Sequence, residues 1–371
     1  MNQRIITAQD NYAQLDAWLK QNGKALLVCD DSINFQKDFT AHLEALRSAG
    51  TEIPEFRDFQ PNPLYESVVK GIQRFHGEGC RAIIAVGGGS AMDVAKCIKL
   101  YSNMEGDGAE GGYLKQEIVP NDIPFLAMPT TAGTGSEATR YAVIYYDGKK
   151  QSVTHVSSIP ETVLLDPNSL KTLPLYQRKA TMMDALCHAI ESYWSVNSTE
   201  ESMGYSREAI QMVMANMDGY LSNTEAGNRG MLQAAHMAGK AINITQTTAG
   251  HAMCYKITSL FRAAHGHAAI LCDRVLLPWM IANTAKCTDP RGEAHLVSAL
   301  QGIARAMGCE TPEAAAAKLN DIFERLELPV PEATEADYAA LKTSVNPVRL
   351  KNHPIALDED TIDSLYHQIL R

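Results

Sequence analysis

The stretch RAIIAVGGGSAMDVAKCIKLY, residues 81–101, predicts a strand, a glycine-rich turn and a helix in immediate succession. Residues 81–86 are an apolar run of strand length, and residues 91–101 have a helical pattern. The turn between them, Gly87-Gly88-Gly89-Ser90, offers backbone N–H groups and a helix N-terminus to a phosphate. It is neither the G-x-G-x-x-G dinucleotide fingerprint nor a P-loop. A phosphate-binding loop is therefore predicted, with a plain tight turn as the alternative.

Strand and helix patterns alternate on both sides of this stretch, throughout the first 166 residues. Strand patterns lie at 25–29, 51–59, 123–128 and 163–165, a hairpin surrounds Asp147-Gly148, and helical patterns lie at 35–49 and 63–77. Such alternation indicates a doubly wound, largely parallel sheet. After Pro167 the patterns are helical, at 177–195, 202–221, 226–246, 250–261, 267–285, 291–307, 312–326, 335–343 and 359–370. The sequence predicts an α/β domain over residues 1–166 and an all-helical domain over residues 167–371.

The composition indicates a globular protein and argues against several classes of partner. The 371 residues are 45% hydrophobic and 20% charged, which fits two domains. A net charge of −10 argues against binding to nucleic acid. The polar first residues carry no secretory signal, and Asp273 and Arg274 interrupt the longest apolar run, so no membrane span is expected. Eight cysteines without a Cys-x-x-Cys pair indicate reduced thiols in a cytoplasm.

A second loop, Thr130 to Ser136, also follows a predicted strand and is rich in glycine and hydroxyl groups. Two such loops at the carboxyl ends of strands fit the phosphates and riboses of a dinucleotide. Asp30, at the end of the first predicted strand, can accept hydrogen bonds from the adenosine ribose and would repel a 2′-phosphate. The cofactor is therefore expected to be NAD(H) rather than NADP(H), unless Asp30 is an ordinary solvated turn residue.

Asp184 and His188 lie four residues apart in a predicted helix, so both project from one face. A carboxylate and an imidazole placed in this way make half of a divalent-metal site. The dense histidine cluster, His251, His265 and His267, can supply the other half. The alternative is that Asp184 pairs with a neighbouring cation and His188 is a core histidine.

Taken together, the motifs resemble those of the iron-dependent (group III) alcohol dehydrogenases, in the same order and over most of the chain. The matching stretches are Gly87-Gly88-Gly89-Ser90-x-x-Asp93-x-Ala95-Lys96, Thr130-Thr131-Ala132-Gly133-Thr134-Gly135-Ser136-Glu137, Met183-Asp184-Ala185-x-x-His188-Ala189-Ile190-Glu191 and His251-x13-His265-Gly266-His267-Ala268.

This resemblance implies a dinucleotide-binding domain and a helical domain, a fold class shared with dehydroquinate synthases, with a metal in the cleft between the domains. It assigns four metal ligands, Asp184, His188, His251 and His265. For the cofactor it implies contacts from Gly88, Gly89 and Ser90 to the pyrophosphate, from Thr130, Thr131 and Thr134 beside it, and from Asn62, Asp93 and Lys150 to the nucleotide. A homodimer is usual for such folds.

The implied ligand set suits a Lewis acid that polarises an aldehyde carbonyl while hydride passes to or from the nicotinamide. The resemblance implies Fe²⁺, although Zn²⁺ would usually bind such donors more tightly. Many family members carry a second histidine four residues after the third ligand, and this chain has Tyr255 there. Tyr255, His267 and the nicotinamide ribose hydroxyl therefore become the candidate members of a proton relay.

Two further stretches, 138–145 and 344–352, are similar to reductases of phosphonoacetaldehyde and sulfoacetaldehyde. Their anionic two-carbon substrates suit bidentate arginine. Arg140, Arg349 and Lys351 are the candidate anion-binding residues, with a local ion pair and a solvated loop as the alternatives. A general short-chain primary alcohol dehydrogenase is the second functional hypothesis. The motif string disfavours a dehydroquinate synthase-like lyase and a glycerol-type dehydrogenase.

Overall fold

The apolar run after residue 81 forms an inner strand of a six-stranded parallel sheet in the computed structural model, which describes residues 3–371. The sheet has the order β1-β8-β5-β4-β2-β3, and its strands are β1 (Arg4–Thr7), β2 (Ala25–Cys29), β3 (Glu55–Phe56), β4 (Ala82–Gly87), β5 (Phe125–Pro129) and β8 (Thr162–Leu165). A separate antiparallel hairpin consists of β6 (Tyr141–Tyr146) and β7 (Lys149–Thr154). The accompanying helices are α1 (Ala13–Asn22), α2 (Lys37–Ser48), α3 (Tyr65–Gly77) and α4 (Gly89–Tyr101).

Both faces of this sheet are covered by apolar side chains. Along β4, Ile83 and Ala85 belong to one buried cluster, whereas Ile84 and Val86 belong to another. Alternate residues of a strand point to opposite faces, so every residue of such an inner strand must be apolar. This requirement explains the continuous apolar run in the sequence, and the predicted doubly wound parallel sheet is confirmed.

The strand order reverses direction between β2 and β4. From β2 the chain continues to β3 on one side, and from β4 it continues to β5 on the other. A crevice outside the carboxyl ends of two such strands is where doubly wound sheets bind their ligands. Asp30 follows β2 and Gly88 follows β4, so both lie at this point.

The remaining chain is helical, as predicted. Its helices are α5 (Leu175–Trp194), α6 (Glu200–Leu221), α7 (Glu225–Thr245), α8 (Ala249–Phe261), α9 (His265–Ala282), α10 (Glu293–Ala306), α11 (Pro312–Arg325), α12 (Glu335–Lys342), α13 (Pro347–Leu350) and α14 (Glu359–Ile369). From Met182 to its last residue, every side chain of α5 is buried, which makes α5 the central helix of this region. Among residues 3–371, no helix combines the length and the apolar content that a membrane crossing requires.

The chain divides into two compact units at positions slightly different from the predicted boundary. The first unit contains the residues up to Thr131 together with Gly135–Leu173, and the second contains Ala132–Thr134 together with Pro174–Arg371. The division therefore falls after Leu173 rather than at Asp166, and a short piece of the second glycine-rich loop groups with the helical unit.

Five local elements differ from the predictions. Strand β1, helix α1 and the short α13 carry patterns too short or too weak to stand out in the sequence. The strand predicted at 51–59 is reduced to β3, because Pro54 has no N–H to donate. Helix α3 begins at Tyr65, so Pro63 precedes the helix instead of lying in its first turn.

His353 is a buried histidine that anchors the segment after α13. Its ring meets that of Trp194 edge-on at 6.2 Å, and neither ring nitrogen has a hydrogen-bond partner among residues 3–371. Next to it, the Asn352 carbonyl accepts a hydrogen bond from the Val196 N–H at 2.9 Å. Burial lowers the pKa of the His353 imidazole to about 4, although the charge of Glu191 opposes this shift.

We predict that His353 makes the protein less stable in mild acid. The folded protein holds the imidazole neutral, whereas the unfolded chain binds a proton there once the pH falls below the ordinary pKa of 6.5. The free energy of unfolding is therefore unaffected by His353 above pH 6.5 and falls as the pH drops toward about 4. The loss amounts to roughly 3 kcal/mol of unfolding free energy. Urea unfolding followed by tryptophan fluorescence at pH 7 and pH 4.5 should show a smaller pH effect in His353→Phe. An identical pH effect in both proteins would contradict the prediction.

Candidate metal centre and cofactor loops

Asp184 and His188 lie one turn apart on α5, and both side chains are buried. The ring of His188 stacks on that of His251 from α8, with ring centroids 4.4 Å apart. The Nε2 atom of His251 lies 3.4 Å from Oδ1 of Asp184. The ligand atoms of these three residues all lie within 4.8 Å of one another. The structure therefore brings together three of the predicted metal ligands.

His265, the first residue of α9, lies at the edge of this group. Its Nε2 atom is 4.0 Å from Oδ1 of Asp184, and its side chain is 36% exposed. Its ring meets the His251 ring edge-on at 5.3 Å. The fourth predicted ligand thus faces the same carboxylate from a more open side.

Gly266 lets α9 begin directly against α5. A Cβ at this position would lie 2.1 Å from the Ala180 carbonyl oxygen and 2.5 Å from Cβ of Asp184. No side chain fits there without moving the helices apart. Gly266 belongs to one of the family motifs, but the sequence analysis assigned it no role. Its position between two histidines could have indicated that the backbone needs room there.

The charges of the group suit a divalent cation. Burial lowers the pKa of the His188 imidazole to about 4, although the charge of Asp184 opposes this shift. Burial would raise the pKa of Asp184, but the neighbouring His188 and a hydrogen bond from His251 hold it well below its usual range. An ionised carboxylate with imidazole nitrogens is a donor set for Zn²⁺ or Fe²⁺. The residues present therefore fit the metal.

In the first unit, the turn after β4 has the geometry of a phosphate loop. Gly87 has φ +153°, and a Cβ there would lie 2.6 Å from Cβ of Ala91, so glycine is required. Gly88 precedes α4 without a side-chain cap, followed by Gly89 and Ser90 in the first turn. The N–H groups of that turn have no intrahelical partners and can bind a pyrophosphate.

Asp30 lies beside this turn. Its Oδ1 accepts a hydrogen bond from the Ser32 N–H at 2.9 Å. Its Oδ2 would lie 3.1 Å from a Cβ built on Gly87.

The second glycine-rich loop lies next to the same turn. The side chain of Thr131 would lie 3.6 Å from a Cβ built on Gly88, and the Thr130 hydroxyl is 3.4 Å from the Ser32 hydroxyl. Thr134 groups with the helical unit.

Asp93 makes hydrogen bonds within the protein. Its carboxylate accepts from the Val143 N–H at 3.1 Å and from the Ser136 hydroxyl at 3.3 Å. Lys96, one turn further along α4, donates to the Ser136 carbonyl at 2.6 Å and to the Tyr141 carbonyl at 2.8 Å. These bonds tie the segment after the second loop to α4 and indicate a structural role for Asp93. Lys96 has the same role, which was not predicted from the sequence.

Two other predicted cofactor residues, one exposed and one half-buried, belong to the first unit. Asn62 is exposed and has φ 59° in the turn before α3. Lys150 lies on β7, close enough to Asp93 for its charge to lower the pKa of that carboxyl. Their contacts with the nucleotide remain predictions.

His267, a predicted member of the proton relay, has a hydrogen-bond partner at each ring nitrogen. Its Nδ1 atom is 3.1 Å from the Tyr176 hydroxyl, and its Nε2 atom is 2.9 Å from the Pro329 carbonyl oxygen. The side chain is buried, and burial lowers its pKa. Because both ring nitrogens are engaged, the imidazole would have to break one of these bonds to pass a proton to a substrate, and its part in a relay remains a prediction.

Tyr255 instead stands next to the metal ligands. Its ring lies 5.4 Å from that of His265, and its hydroxyl accepts a hydrogen bond from Arg349 at 3.0 Å. The Arg349 guanidinium also lies over the Tyr255 ring, 4.8 Å from the centroid. Burial raises the pKa of Tyr255 to about 12 although Arg349 opposes it, so the phenol stays protonated at neutral pH.

The three predicted anion-binding residues differ in exposure and in the side chains that they contact. Arg349 belongs to the stack with Tyr255 and His265, whereas Lys351 is exposed just after α13. Arg140, in the first unit, contacts the side chain of Tyr141, with Nε 3.3 Å from its hydroxyl. Arg349 is therefore the residue that the structure brings nearest to the histidine cluster within its own unit.

We predict that His265→Ala removes stoichiometric metal together with turnover. Loss of an outer-shell partner already costs about 10- to 100-fold in metal affinity, so loss of a ligand should cost more. Metal content after equilibration in a chelator-buffered solution measures the effect, and the exposed His367→Ala is the control. Full activity in a metal-free preparation would refute the site.

Two family models match nearly the whole chain. Residues 2–167 match the model described as iron-containing alcohol dehydrogenase, and residues 179–370 match the C-terminal model of the Fe-containing alcohol dehydrogenase family. The resemblance inferred from the motifs is thereby confirmed.

Individual relatives agree with these models. The 1,3-propanediol dehydrogenase of Klebsiella pneumoniae is 34% identical over 275 residues, 72% of this chain and 70% of that protein. The phosphonoacetaldehyde reductase of Streptomyces viridochromogenes is 30% identical over 296 residues, 76% of this chain and 74% of that protein. The crystal structure of sulfoacetaldehyde reductase from Bifidobacterium kashiwanohense in complex with NAD⁺ superposes with a TM-score of 0.86 at 24% identity, over 100% of this chain and 96% of that one. The chain belongs to the iron-containing alcohol dehydrogenase family and is an oxidoreductase acting on alcohols or aldehydes.

Proposed function

We propose that the protein uses NADH and a divalent metal to reduce a short anionic aldehyde, phosphonoacetaldehyde or sulfoacetaldehyde, to the primary alcohol. In this reaction the carbonyl carbon takes a hydride from NADH and the oxygen takes a proton. The observation that carries the choice of an anionic substrate is the stack of Arg349 on Tyr255 beside His265. We also expect a homodimer and a cytoplasmic location.

Asp184, His188, His251 and His265 would hold the metal. Fe²⁺ is the expected ion, as the family description implies, and Zn²⁺ is the alternative. When bound, the ion supplies Lewis-acid polarisation of the carbonyl. The protein residues have to orient the aldehyde, supply the proton and neutralise the charge at its far end.

Tyr255 is the candidate proton donor. Its raised pKa keeps the proton on the phenol, and its oxygen already accepts a hydrogen bond from Arg349. The phenolic proton is then available to a substrate oxygen rather than directed at the arginine. The nicotinamide ribose hydroxyl remains the other candidate.

Arg349 is the candidate anion-binding residue. On a chain of net charge −10, capture of a phosphonate or sulfonate depends on a local cation. Packing on Tyr255 orders the guanidinium in advance, so less side-chain entropy is lost on binding. The similarity to a phosphonoacetaldehyde reductase supports this substrate class, and Arg140 and Lys351 remain further candidates.

A general short-chain alcohol dehydrogenase is the second candidate function. The 1,3-propanediol dehydrogenase relative is slightly more similar in sequence, at 34% identity. In that case Arg349 would only hold the Tyr255 ring in place and would bind no substrate anion. Comparison of charged and uncharged aldehydes distinguishes the two functions.

The NAD(H) proposal is tested at Asp30, which lies next to the phosphate turn. Its carboxylate can accept from a free 2′-hydroxyl and would repel a 2′-phosphate. We expect the wild type to prefer NADH by at least about tenfold in kcat/KM, which corresponds to roughly 1.4 kcal/mol. Asp30→Gly should reduce this preference, whereas Asp31→Gly, at a side chain that is 94% exposed, should preserve it. A wild type that uses NADPH equally well would show that Asp30 does not select the cofactor.

The anionic substrate is tested at Arg349. One hydrogen bond to a charged group contributes about 1.5–3 kcal/mol, so Arg349→Ala should lower kcat/KM for phosphonoacetaldehyde or sulfoacetaldehyde roughly 10- to 150-fold. Reduction of propanal should change little. Lys351→Ala, at an exposed neighbour, measures the general effect of losing a positive charge.

Tyr255→Phe separates the two roles of the stack, because it removes the phenolic proton and keeps the ring under the guanidinium. Loss of the proton donor should slow both classes of aldehyde to a similar degree. Equal wild-type efficiency on charged and uncharged aldehydes would favour the general alcohol dehydrogenase.

A further inference from the structure

A second buried carboxylate contacts His251 on the side opposite Asp184. Glu191, two turns after Asp184 on α5, is completely buried. Its Oε1 accepts hydrogen bonds from the His251 Nδ1 atom and from the His251 backbone N–H, the latter at 2.9 Å. Its Oε2 accepts from the Thr248 backbone N–H and from the Thr248 hydroxyl, the latter at 2.6 Å. Four donors thus converge on one carboxylate.

These bonds determine which nitrogen of His251 faces the metal. A neutral imidazole carries its proton on one nitrogen and a lone pair on the other. Because Nδ1 donates to Glu191, Nε2, which faces Asp184 at 3.4 Å, is the nitrogen that would present its lone pair to a bound ion. A carboxylate that fixes the tautomer and orientation of a ligating histidine also increases its basicity.

Glu191 is itself held by a short chain of hydrogen bonds. The indole Nε1 of Trp194 donates to the Thr248 hydroxyl at 2.8 Å, and that hydroxyl donates to Glu191. Trp194 and Glu191 both belong to α5, whereas Thr248 immediately precedes α8. The chain of bonds therefore fixes the start of the helix that carries His251 to the helix that carries Asp184.

His265 has a weaker partner at its own Nδ1 atom. The Nδ1 atom of His265 lies 3.6 Å from the Cys254 sulfur, a weak donor and acceptor. His251, in contrast, bonds through Nδ1 to a buried carboxylate, which sets the orientation of its ring.

Asp273 on α9 lies next to Glu191 and provides a natural comparison. A Cβ on residue 250 would lie 1.9 Å from Oδ1 of Asp273 and 2.7 Å from Oε1 of Glu191, so only glycine leaves room for both carboxyl groups. Within residues 3–371, neither oxygen of Asp273 has a well-aligned hydrogen-bond partner. Burial, reinforced by the negative charge of Glu191, raises the pKa of Asp273 well above its ordinary value. Glu191 thus accepts hydrogen bonds from four donors, whereas its neighbour Asp273 accepts none that is well aligned among the described residues.

We propose that Glu191 is a positioning residue of the metal centre, which holds His251 in the Nδ1-protonated tautomer and aims Nε2 at the ion. The assignment rests on the proposed metal function and adds to the four ligands a residue outside that set. Glu191 does not touch substrate or metal, so it acts entirely through His251. Asp273, equally buried, has no such role.

The test uses Co²⁺ as the probe, bound to the full-length chain after removal of metal by a chelator. Affinity is measured by competition with a chelator, and the visible absorption of Co²⁺ reports the ligand geometry. Glu191→Gln replaces an acceptor by an amide that cannot take all four donors, so affinity should fall about 10- to 100-fold. The absorption spectrum should change as well. Asp273→Asn, the matched change at the neighbouring carboxyl group, should keep wild-type affinity and spectrum.

A third variant covers the case in which Glu191→Gln does not fold, as judged by circular dichroism of the metal-free protein. Thr248→Val removes one hydrogen bond to Oε2 and preserves the carboxylate. It should weaken Co²⁺ binding in the same direction by a smaller factor, with an altered spectrum.

Several results would overturn the assignment. Wild-type affinity and spectrum in Glu191→Gln, or in Thr248→Val where the first variant is unfolded, would show that His251 needs no carboxylate. An equal loss in Asp273→Asn would show that the whole buried cluster, not Glu191, supports the site. Failure of the wild type to bind Co²⁺ would instead refute the proposed metal function, and the assignment with it.

Discussion

The imidazole of His251 lies between two buried carboxylates, and this arrangement constrains the whole helical unit. Its Nε2 atom faces Asp184 at 3.4 Å and its Nδ1 atom bonds to Glu191. Charges at such depth are tolerated only when they are paired or bind a metal. The helix α5 can supply both carboxylates because residues two turns apart share a face. Helix α8 then has to approach α5 closely enough to insert one ring between them.

Close approach depends on glycines rather than on apolar side chains. Gly250 immediately precedes His251 and gives room to Glu191 and Asp273, and Gly266 immediately follows His265 and gives room to Asp184. In both cases a Cβ would overlap its neighbours by far more than a side-chain shift can relieve. The two glycines thus set the spacing of the helices, while the histidines beside them supply the chemistry.

The sequence reveals most of the fold because its elements carry strong local patterns. The continuous apolar run of β4 and the periodic helices after Pro174 are visible without tertiary information. Strand β1 and helix α13 are not, since four residues carry too little pattern and depend on their neighbours. The spacing of Asp184 and His188 predicts their convergence directly, whereas the approach of His251 and His265 follows from the family resemblance.

Roles that depend on one distant partner could not be predicted. Nothing near His267 in the sequence indicates that a hydroxyl at Tyr176 and a carbonyl at Pro329 occupy both ring nitrogens. Glu191 carried a usable signal, an acid two turns after Asp184 on the same buried face, but its partner at His251 is remote in sequence. Asp273 is also a fully buried acid, but its carboxyl oxygens lack well-aligned partners among residues 3–371, and only the positions of the surrounding donors distinguish it from Glu191.

Tyr255, which stands where the family resemblance leads us to expect a histidine, also affects how Arg349 can pack beside the histidine cluster. A guanidinium packs well on a neutral aromatic face and donates to a phenolic oxygen, as Arg349 does here. A histidine in this position would place a second group able to carry positive charge beside the arginine, and the two would repel each other on protonation. The tyrosine avoids this second charge, so the guanidinium can pack on the ring that lies 5.4 Å from that of His265.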